Sequence, residues 1–461
     1  MSFQTNNLTA GFIDLATSDA LEQRIYGGEN AVTYFVHQHR KSTWFTQVPV
    51  VLTSASGTGD FGNHWSVTIS RAGDYLLNSW LEVVLPKYTN ASGFSSFWCK
   101  NLMHNLIEEC TITFNDLVAS RFTSEILDFW TAFTVSASKR AGYNAMIGAG
   151  DTIQTTDGNN NMFVRGLAVG GNSDGQAHRL ILPLPFFFSR DSGVSLPTAA
   201  LPYNDMRINF KFRNQTELLS SFALASGGEK QAPFALSNVT ETSLAAMTSA
   251  RVWANYAIVS NTERTLMGAH ARNITIEQFQ HTPPHTFDTS ANKTYDIRFS
   301  HGIKALMFGI RNKTQNTTVV TDTALKASGT GGDLFSRYHT RSDANEAAGT
   351  IARESPIDNV TLLYENTTRL GSVPSSYFTH VGPYQHATSI PTAEPGMHLY
   401  SYALDMTSID PNGSTNFGKL TNVSIAPKAI TGLTGTWDLV VNAVNHNVIR
   451  ISGGALGFPI L

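Results

Sequence analysis

"WSVTISRAGDYLLNSWLEV", residues 65–83, and "YDIRFSHGIKALMFGIRN", residues 295–312, can be laid on one another at a separation of 230, half the length of this 461-residue chain. Ser70 then falls on Ser300, Arg71 on His301 and Leu77 on Met307. The first stretch alternates: Trp65, Val67 and Ile69 share one face of an extended chain and Ser66, Thr68 and Ser70 the other, the pattern of a half-buried strand. A repeat at half the chain length, carried by strand patterns, points to two β domains in tandem. The length agrees, because one hydrophobic core stops growing well before it.

Outward from these stretches the signals stay mostly those of strands. "TYFVHQH" (33–39), "WFTQVPVVL" (44–52) and "YLLNSWLEVVLP" (75–86, stopped by Pro86) read as strands. "CTITFND" alternates Cys110, Ile112 and Phe114 before a turn at Asn115 and Asp116. "DMRINFKF" sets Met206, Ile208, Phe210 and Phe212 towards a core. The second half supplies "ARVWANYAIV", "NITIEQFQ", "VTLLYEN", "HLYSYALDM", "KLTNVSIAP" and "DLVVNAVNHNVIRI". Two helices interrupt this: a short one near the N-terminus, with Asp19 and Glu22 at capping-box spacing and Gly27 as its stop, and "SEILDFWTAF" with Ile126, Leu127 and Trp130 on one face. Phe186, Phe187 and Phe188, between prolines in "LPLPFFFSRDSG", are too few for a helix and too apolar for a half-solvated strand, so they predict a strand covered on both faces. Residues 148–178 read as a long surface loop. The pattern breaks again over 216–248, which predicts a linker between a first domain at 28–215 and a second at 249–461, after an N-terminal segment of 1–27. The fold class is all-β, two tandem sandwiches or barrels with a few short helices in loops.

Composition narrows the function. Hydrophobic residues make up 41% and charged residues only 15%, so little charge is available for a solvated surface, which points either to extensive burial against partner chains or to a surface coated by neutral polar residues. The net charge is -3, and Arg24 is the single basic side chain among the first 39 residues, so no basic arm for nucleic acid is expected. No apolar run reaches membrane-spanning length, no signal peptide is read at the N-terminus, and Cys99 and Cys110 fit no zinc or redox spacing, which together suggest a reducing, cytosol-like compartment.

Motifs for chemistry are weak. "GTGDFG" (57–62) matches a dinucleotide fingerprint, yet a strand rather than a helix follows, so a hairpin loop is expected. His37 and His39 in "VHQHR" would share one face of a strand and could grip a metal as in a bicupin-type metalloenzyme, but Arg40 and Lys41 follow where a carboxylate is needed. His104, His178, His301, His386 and His398 form no metal spacing. A glycan-binding sandwich using loops such as "SRYHT" is a further alternative. No catalytic, cofactor-binding or metal residue is assigned, and most of the sequons, among them Asn7, Asn273, Asn316, Asn366 and Asn422, are expected to be accidents of composition.

The chain also resembles, from end to end, the major capsid proteins of iridoviruses, within the large icosahedral DNA viruses, and among them those of invertebrates. The likeness is carried by "GFIDLAT", "WFTQVPV", "AGDYLLNSWL", "KNLMHNLI" with "TFNDLVA", "LPLPFFFSRDSG", "LPTAALPYNDMRINF", "RFSHGIKALMF", "LYENTTRL", "GSTNFGKLTN" and "NHNVIRISGGALGFPIL", in that order. The resemblance implies two eight-stranded jelly rolls, a double jelly roll, in a chain that assembles rather than catalyses. It implies a homotrimer forming a pseudo-hexameric capsomer in an icosahedral virion. Neighbouring capsomers, pentons and minor capsid proteins would be its partners, and an inner membrane would separate it from the DNA core, with no direct contact to nucleic acid. Assembly would take place in the host cytoplasm, with residues 1–27 facing the capsid interior. On this reading the Phe strand lies between its own core and a neighbouring jelly roll, and Arg190 and Asp191 close its end as a charge-assisted pair. The loops at 148–178 and 313–350 depart from the family and imply a distinct outer surface.

Overall fold

The computed structural model describes residues 3–37, 39, 41–149, 152–155, 162–165, 167–171, 176–225, 228–290, 293–313, 335–336, 338–341, 353–392, 394–433 and 435–458. Much of the expected loops 148–178 and 313–350 lies outside the described residues. The chain divides into two units, residues 1–44 and 45–461.

In the first unit, α1 (Phe3–Ala16) is a helix that the sequence did not announce, because Thr5, Asn6, Asn7, Thr9 and Gly11 are weak helix formers. The expected N-terminal helix shrinks to the single turn α2 (Glu22–Ile25). Its capping box forms around it: the Asp19 N–H donates to Glu22 Oε2 at 3.3 Å and the Leu21 N–H to Asp19 Oδ1 at 2.8 Å. The strand expected over 33–39 is not formed among the described residues. The Phe35 N–H turns back to Thr33 Oγ1 at 3.2 Å, a local bond that competes with a ladder.

The second unit begins with β1 (Phe45–Val51), β2 (Thr53–Gly57), β3 (His64–Thr68), β4 (Tyr75–Val84), β5 (Phe94–Trp98), α3 (Leu102–Leu106), β6 (Ile107–Phe114), β7 (Leu117–Thr123), α4 (Ser124–Thr134) and α5 (Ala137–Ile147). It continues with β8 (Thr152–Thr155), β9 (Met162–Arg165), β10 (Arg179–Pro183), β11 (Met206–Phe212), β12 (Leu219–Ala225), β13 (Gly228–Pro233) and β14 (Ser249–Val259). Two antiparallel sheets, β1-β14-β4-β10 and β2-β3-β11-β6-β7, enclose a core. Met206, Ile208, Phe210 and Phe212 of β11 are all buried, as their alternation requires.

After α6 (Asn261–Ala269) come β15 (Arg272–His281), β16 (His285–Phe287), β17 (Tyr295–Asp296), β18 (Gly302–Asn312), β19 (Thr340–Arg341), β20 (Arg353–Glu354), β21 (Ile357–Tyr364) and β22 (Thr367–Pro374). A π-helical turn (Tyr377–Val381) runs into α7 (Gly382–His386), followed by β23 (His398–Ser401), β24 (Thr415–Asn416), β25 (Val423–Ala429), β26 (Trp437–Ser452) and β27 (Ala455–Gly457). The sheets are β15-β26-β18-β23, carrying the short β16, β24 and β27, and β17-β25-β21-β22. Taking the eight principal strands of each half in chain order, both halves pair them 1-8-3-6 and 2-7-4-5. Each half is therefore a jelly roll, and the fold is a double jelly roll. The two stretches aligned at a separation of 230 occupy the second and third strands of their respective halves. The hairpins β6–β7 and β21–β22 also share one turn: Asn115 and Asp116, and Glu365 and Asn366, all have φ between 49° and 64°, the mirror-image turn that suits twisted strands.

Three expectations are corrected. Ser249–Val259 does not open the second sandwich; it closes the first, hydrogen-bonded to β1 on one side and β4 on the other. The expected linker over 216–248 contains the hairpin β12–β13, which extends β5 into a three-stranded sheet. Phe186–Phe188 is not a strand. Pro183 and Pro185 have no N–H to donate to a ladder, and the Phe186 and Ser189 N–H groups bond locally to Leu184 O and Phe186 O, both at 2.9 Å. The result is a 3-10 turn over Phe187–Ser189.

Candidate functional site

The seam between the two sandwiches decides how they are held. Along β26, Leu439, Val441 and Ala443 point into the second sandwich's own core, together with Leu306, Phe308 and Ile310 of β18. The alternate residues Val440 and Val444, with Phe279, Met307 and Leu399, join the cluster of the first sandwich. Both faces of this sheet are covered, which is why β26 reads as an almost unbroken apolar run.

Helix α4 covers the outer face. It carries Phe129, Trp130 and Phe133, all buried, at helical spacing. The Trp130 ring meets Phe279 edge-on at 5.1 Å, and Phe129 meets Tyr338 at 4.9 Å. Gly309 of β18 allows this approach, since a Cβ there would stand 3.1 Å from Phe129 Cζ and 2.7 Å from the Gly396 carbonyl oxygen. Each ring so buried contributes about 2 kcal/mol.

Charged groups fix the register of the seam. Arg190 stacks over Trp130 at 4.4 Å, donates from Nε to Glu277 Oε2 at 2.9 Å, and reaches Thr407 O at 3.1 Å. Glu277 also takes Lys304 Nζ at 2.5 Å, and Lys304, wholly buried, donates further to Ser408 O. Lys304 stands at a bulge, where the pairing of β18 with β26 skips a residue. Nearby, Arg311 holds Glu125 at 2.8 Å, Lys100 holds Glu394 at 2.7 Å, and Asp128 binds His104 at 2.6 Å and the Ser336 hydroxyl at 2.7 Å. Burial would raise the Glu125 pKa, but Arg311 and Arg213 outweigh it and hold the carboxyl at about 2. The His446 imidazole is pushed down by burial and by Lys304. Buried pairs of this kind cost desolvation, which the facing charge and the added hydrogen bonds offset.

The Phe turn belongs to this seam. Phe186 meets Phe122 of β7 at 5.2 Å and Phe188 at 5.5 Å, while the turn packs on β4 and β15. Its expected place between its own core and a neighbouring jelly roll is met within the chain. The expected Arg190–Asp191 pair is corrected: Arg190 goes to Glu277, and Asp191 accepts from the Ser192 N–H at 2.8 Å. Glu277 and Lys304 were missed in the sequence, although a lysine inside "GIKALMFGI" was the available signal of a buried charge.

A cavity of about 290 Å³ opens beside the seam among residues that include Lys100, His104, Asp128, Arg140, Tyr143 and Glu394. The Arg140 guanidinium is occupied by the last carbonyls of α4, Thr131 O and Ala132 O. His104 lies between Asp128 and the Tyr143 hydroxyl, the latter at 2.8 Å from Nε2. Among the described residues no group of three His, Cys, Asp or Glu side chains is placed to hold a metal ion. His37 and His39 come together edge-on, ring centroids 4.6 Å apart. "GTGDFG" spans the β2–β3 hairpin, as expected.

Comparison with known proteins gives one consistent picture. Residues 33–259 match the family described as "Major capsid protein N-terminus", and residues 263–457 match "Large eukaryotic DNA virus major capsid protein". The major capsid protein of Costelytra zealandica iridescent virus is 48% identical, with all of both chains covered, and that of Invertebrate iridescent virus 6 is 46% identical over the same shares. Among solved structures, the VP54 protein of PBCV-1 superposes with a TM-score of 0.69 at 21% identity, covering 93% of this chain and 100% of that one. The Faustovirus major capsid protein gives 0.69 at 11% identity, covering 95% of each.

Proposed function

This chain belongs to the iridovirus major capsid proteins of the large eukaryotic DNA viruses, and from that membership we propose that three copies close into a capsomer of pseudo-sixfold outline that tiles an icosahedral shell. The observation that carries the proposal is the strand order: one chain holds two sandwiches of the same topology side by side, so three chains supply six similar wedges. Assembly of such blocks is driven by apolar burial between chains. The chain's low charge suits it to that role.

Residues 1–27 would face the shell's interior, with minor capsid proteins and pentons as further partners. An inner membrane would lie between shell and DNA, so the absence of a basic arm among the first 39 residues costs the protein nothing. Assembly in the host cytoplasm matches a chain whose two cysteines, Cys99 and Cys110, are both buried.

A native mass spectrum of the purified protein tests this directly. The expected species is three chains of 50.2 kDa without metal. A monomer, or another oligomer carrying one metal per chain, would overturn the proposal and favour the bicupin alternative.

A further inference from the structure

The seam inside one chain is repeated, half-built, on its outside. Helix α4 follows β7 directly, and Trp130 and Phe133 lie seven and ten residues beyond Thr123, the last residue of that strand. In the second sandwich the helical segment 377–386 follows β22, and Val381 and Tyr384 lie seven and ten residues beyond Pro374, its last residue. Strands β7 and β22 hold the same place in their sandwiches. The surroundings of the two pairs are opposite. Trp130 and Phe133 are both buried, Trp130 edge-on to Phe279 of the β15-β26-β18-β23 sheet, whereas Val381 is 44% exposed and Tyr384 79%, with exposed Leu404 on the loop hydrogen-bonded to His386.

Among the described residues, the sheet that would receive them also leaves its outer face partly exposed. In the first sandwich, β1-β14-β4-β10 holds the place that β15-β26-β18-β23 holds in the second. Leu81, Val83, Val252 and Ala254 fill its inner face. The register puts Val51, Trp253, Trp80 and Pro183 in a row on the outer face. The two indoles stack at 6.2 Å and are only half-buried. Trp253 Nε1 donates to Glu82 at 2.8 Å, and Arg179 pairs with the same carboxylate at 2.9 Å. The face is therefore a fixed apolar platform whose buried carboxylate is already paired.

We infer that this platform receives Val381 and Tyr384 of a second copy of the same chain, so that the contact between chains repeats the contact within one. The occupant is identified by that template: within the chain, the helix that follows the fifth strand of one sandwich packs, through Trp130 seven residues on, against the 1-8-3-6 sheet of the other. Segment 377–386 and the outer face of this sheet both present exposed apolar side chains, and they are related by the same topology. A contact from second sandwich to first is head-to-tail, and such contacts close into a ring only under rotation. Three of them alternating with three in-chain seams place six sandwiches in one ring. The inference rests on the trimeric capsomer proposed above.

The test uses the full-length chain in native mass spectrometry and light scattering. Tyr384→Arg and, on the other surface, Trp253→Arg are each expected to weaken trimer formation on the order of 30-fold or more, as loss of an interfacial anchor does. Leu117→Arg, at an exposed apolar position on the β6–β7 hairpin that belongs to neither surface, is expected to stay trimeric. As a measurement that does not depend on how the arginine variants fold, a Val51→Cys, Tyr384→Cys chain under mild oxidation should give disulfide-linked ladders of two and three chains. A trimeric wild type whose two arginine variants remain trimeric, or whose cysteine pair gives no linked chains, would overturn the assigned contact and leave the capsomer standing. A wild type that is not trimeric would overturn both.

Discussion

His398 shows how a single buried side chain ties this fold to pH. Its ring is fully buried, stacks on Phe308 at 5.1 Å, and hydrogen-bonds through Nε2 to the Ser375 hydroxyl at 2.7 Å. Burial pushes its pKa down to about 4. A base whose folded pKa is lowered favours the native state above the unfolded pKa. Between the usual 6.5 and about 4 the unfolded chain takes up a proton that the native chain refuses, so stability falls as pH drops through that window, by about 3 kcal/mol in all. Urea unfolding midpoints at pH 7 and pH 4.5 should show this loss, and His398→Gln, less stable at pH 7, should show a smaller one. An equal loss in the variant would remove His398 as the cause. Glu125 acts in a lower window: its depressed pKa contributes stability above about 4.5 that is lost on further acidification towards 2.

At the level of elements, period and burial part company where two sandwiches meet. β11 alternates because one face is core and the other is not, and its sequence says so. β26 and β18 are buried on both faces, so their alternate residues serve two different cores and the pattern is hidden. The Phe turn is the clearest case: the sequence revealed burial on several sides but not the conformation, because two prolines remove the ladder and local hydrogen bonds take its place. Phe187→Ser should cost about 4 kcal/mol, the price of deleting a buried ring. Thermal unfolding and native mass spectrometry are expected to show a lower transition and a reduced trimer fraction. An unchanged transition would show that the ring is not locked into the seam.

For the whole molecule, residues 1–44 form a unit of their own. It presents Leu8, Phe12, Leu15, Leu21 and Ile25 as exposed side chains, and exposed apolar side chains in such number suit contacts with a partner surface. Deleting residues 1–26 should leave the trimer intact and impair shell formation. Native mass spectrometry of the truncated chain and electron microscopy of assembled particles check the two halves of that expectation, and loss of the trimer would contradict it.

The sequence by itself determined the all-β class, the two-fold repeat, the faces of β3, β6 and β11, helix α4 and the family, because each is written in short-range alternation, spacing or local motif. Only the tertiary structure decided that β14 closes the first sandwich, that Arg190 turns to Glu277 across the seam, and that Lys304 is buried against the same carboxylate. Those outcomes depend on which distant strands hydrogen-bond and which charges meet, and the free energy that selects them is released only when both sandwiches are in place.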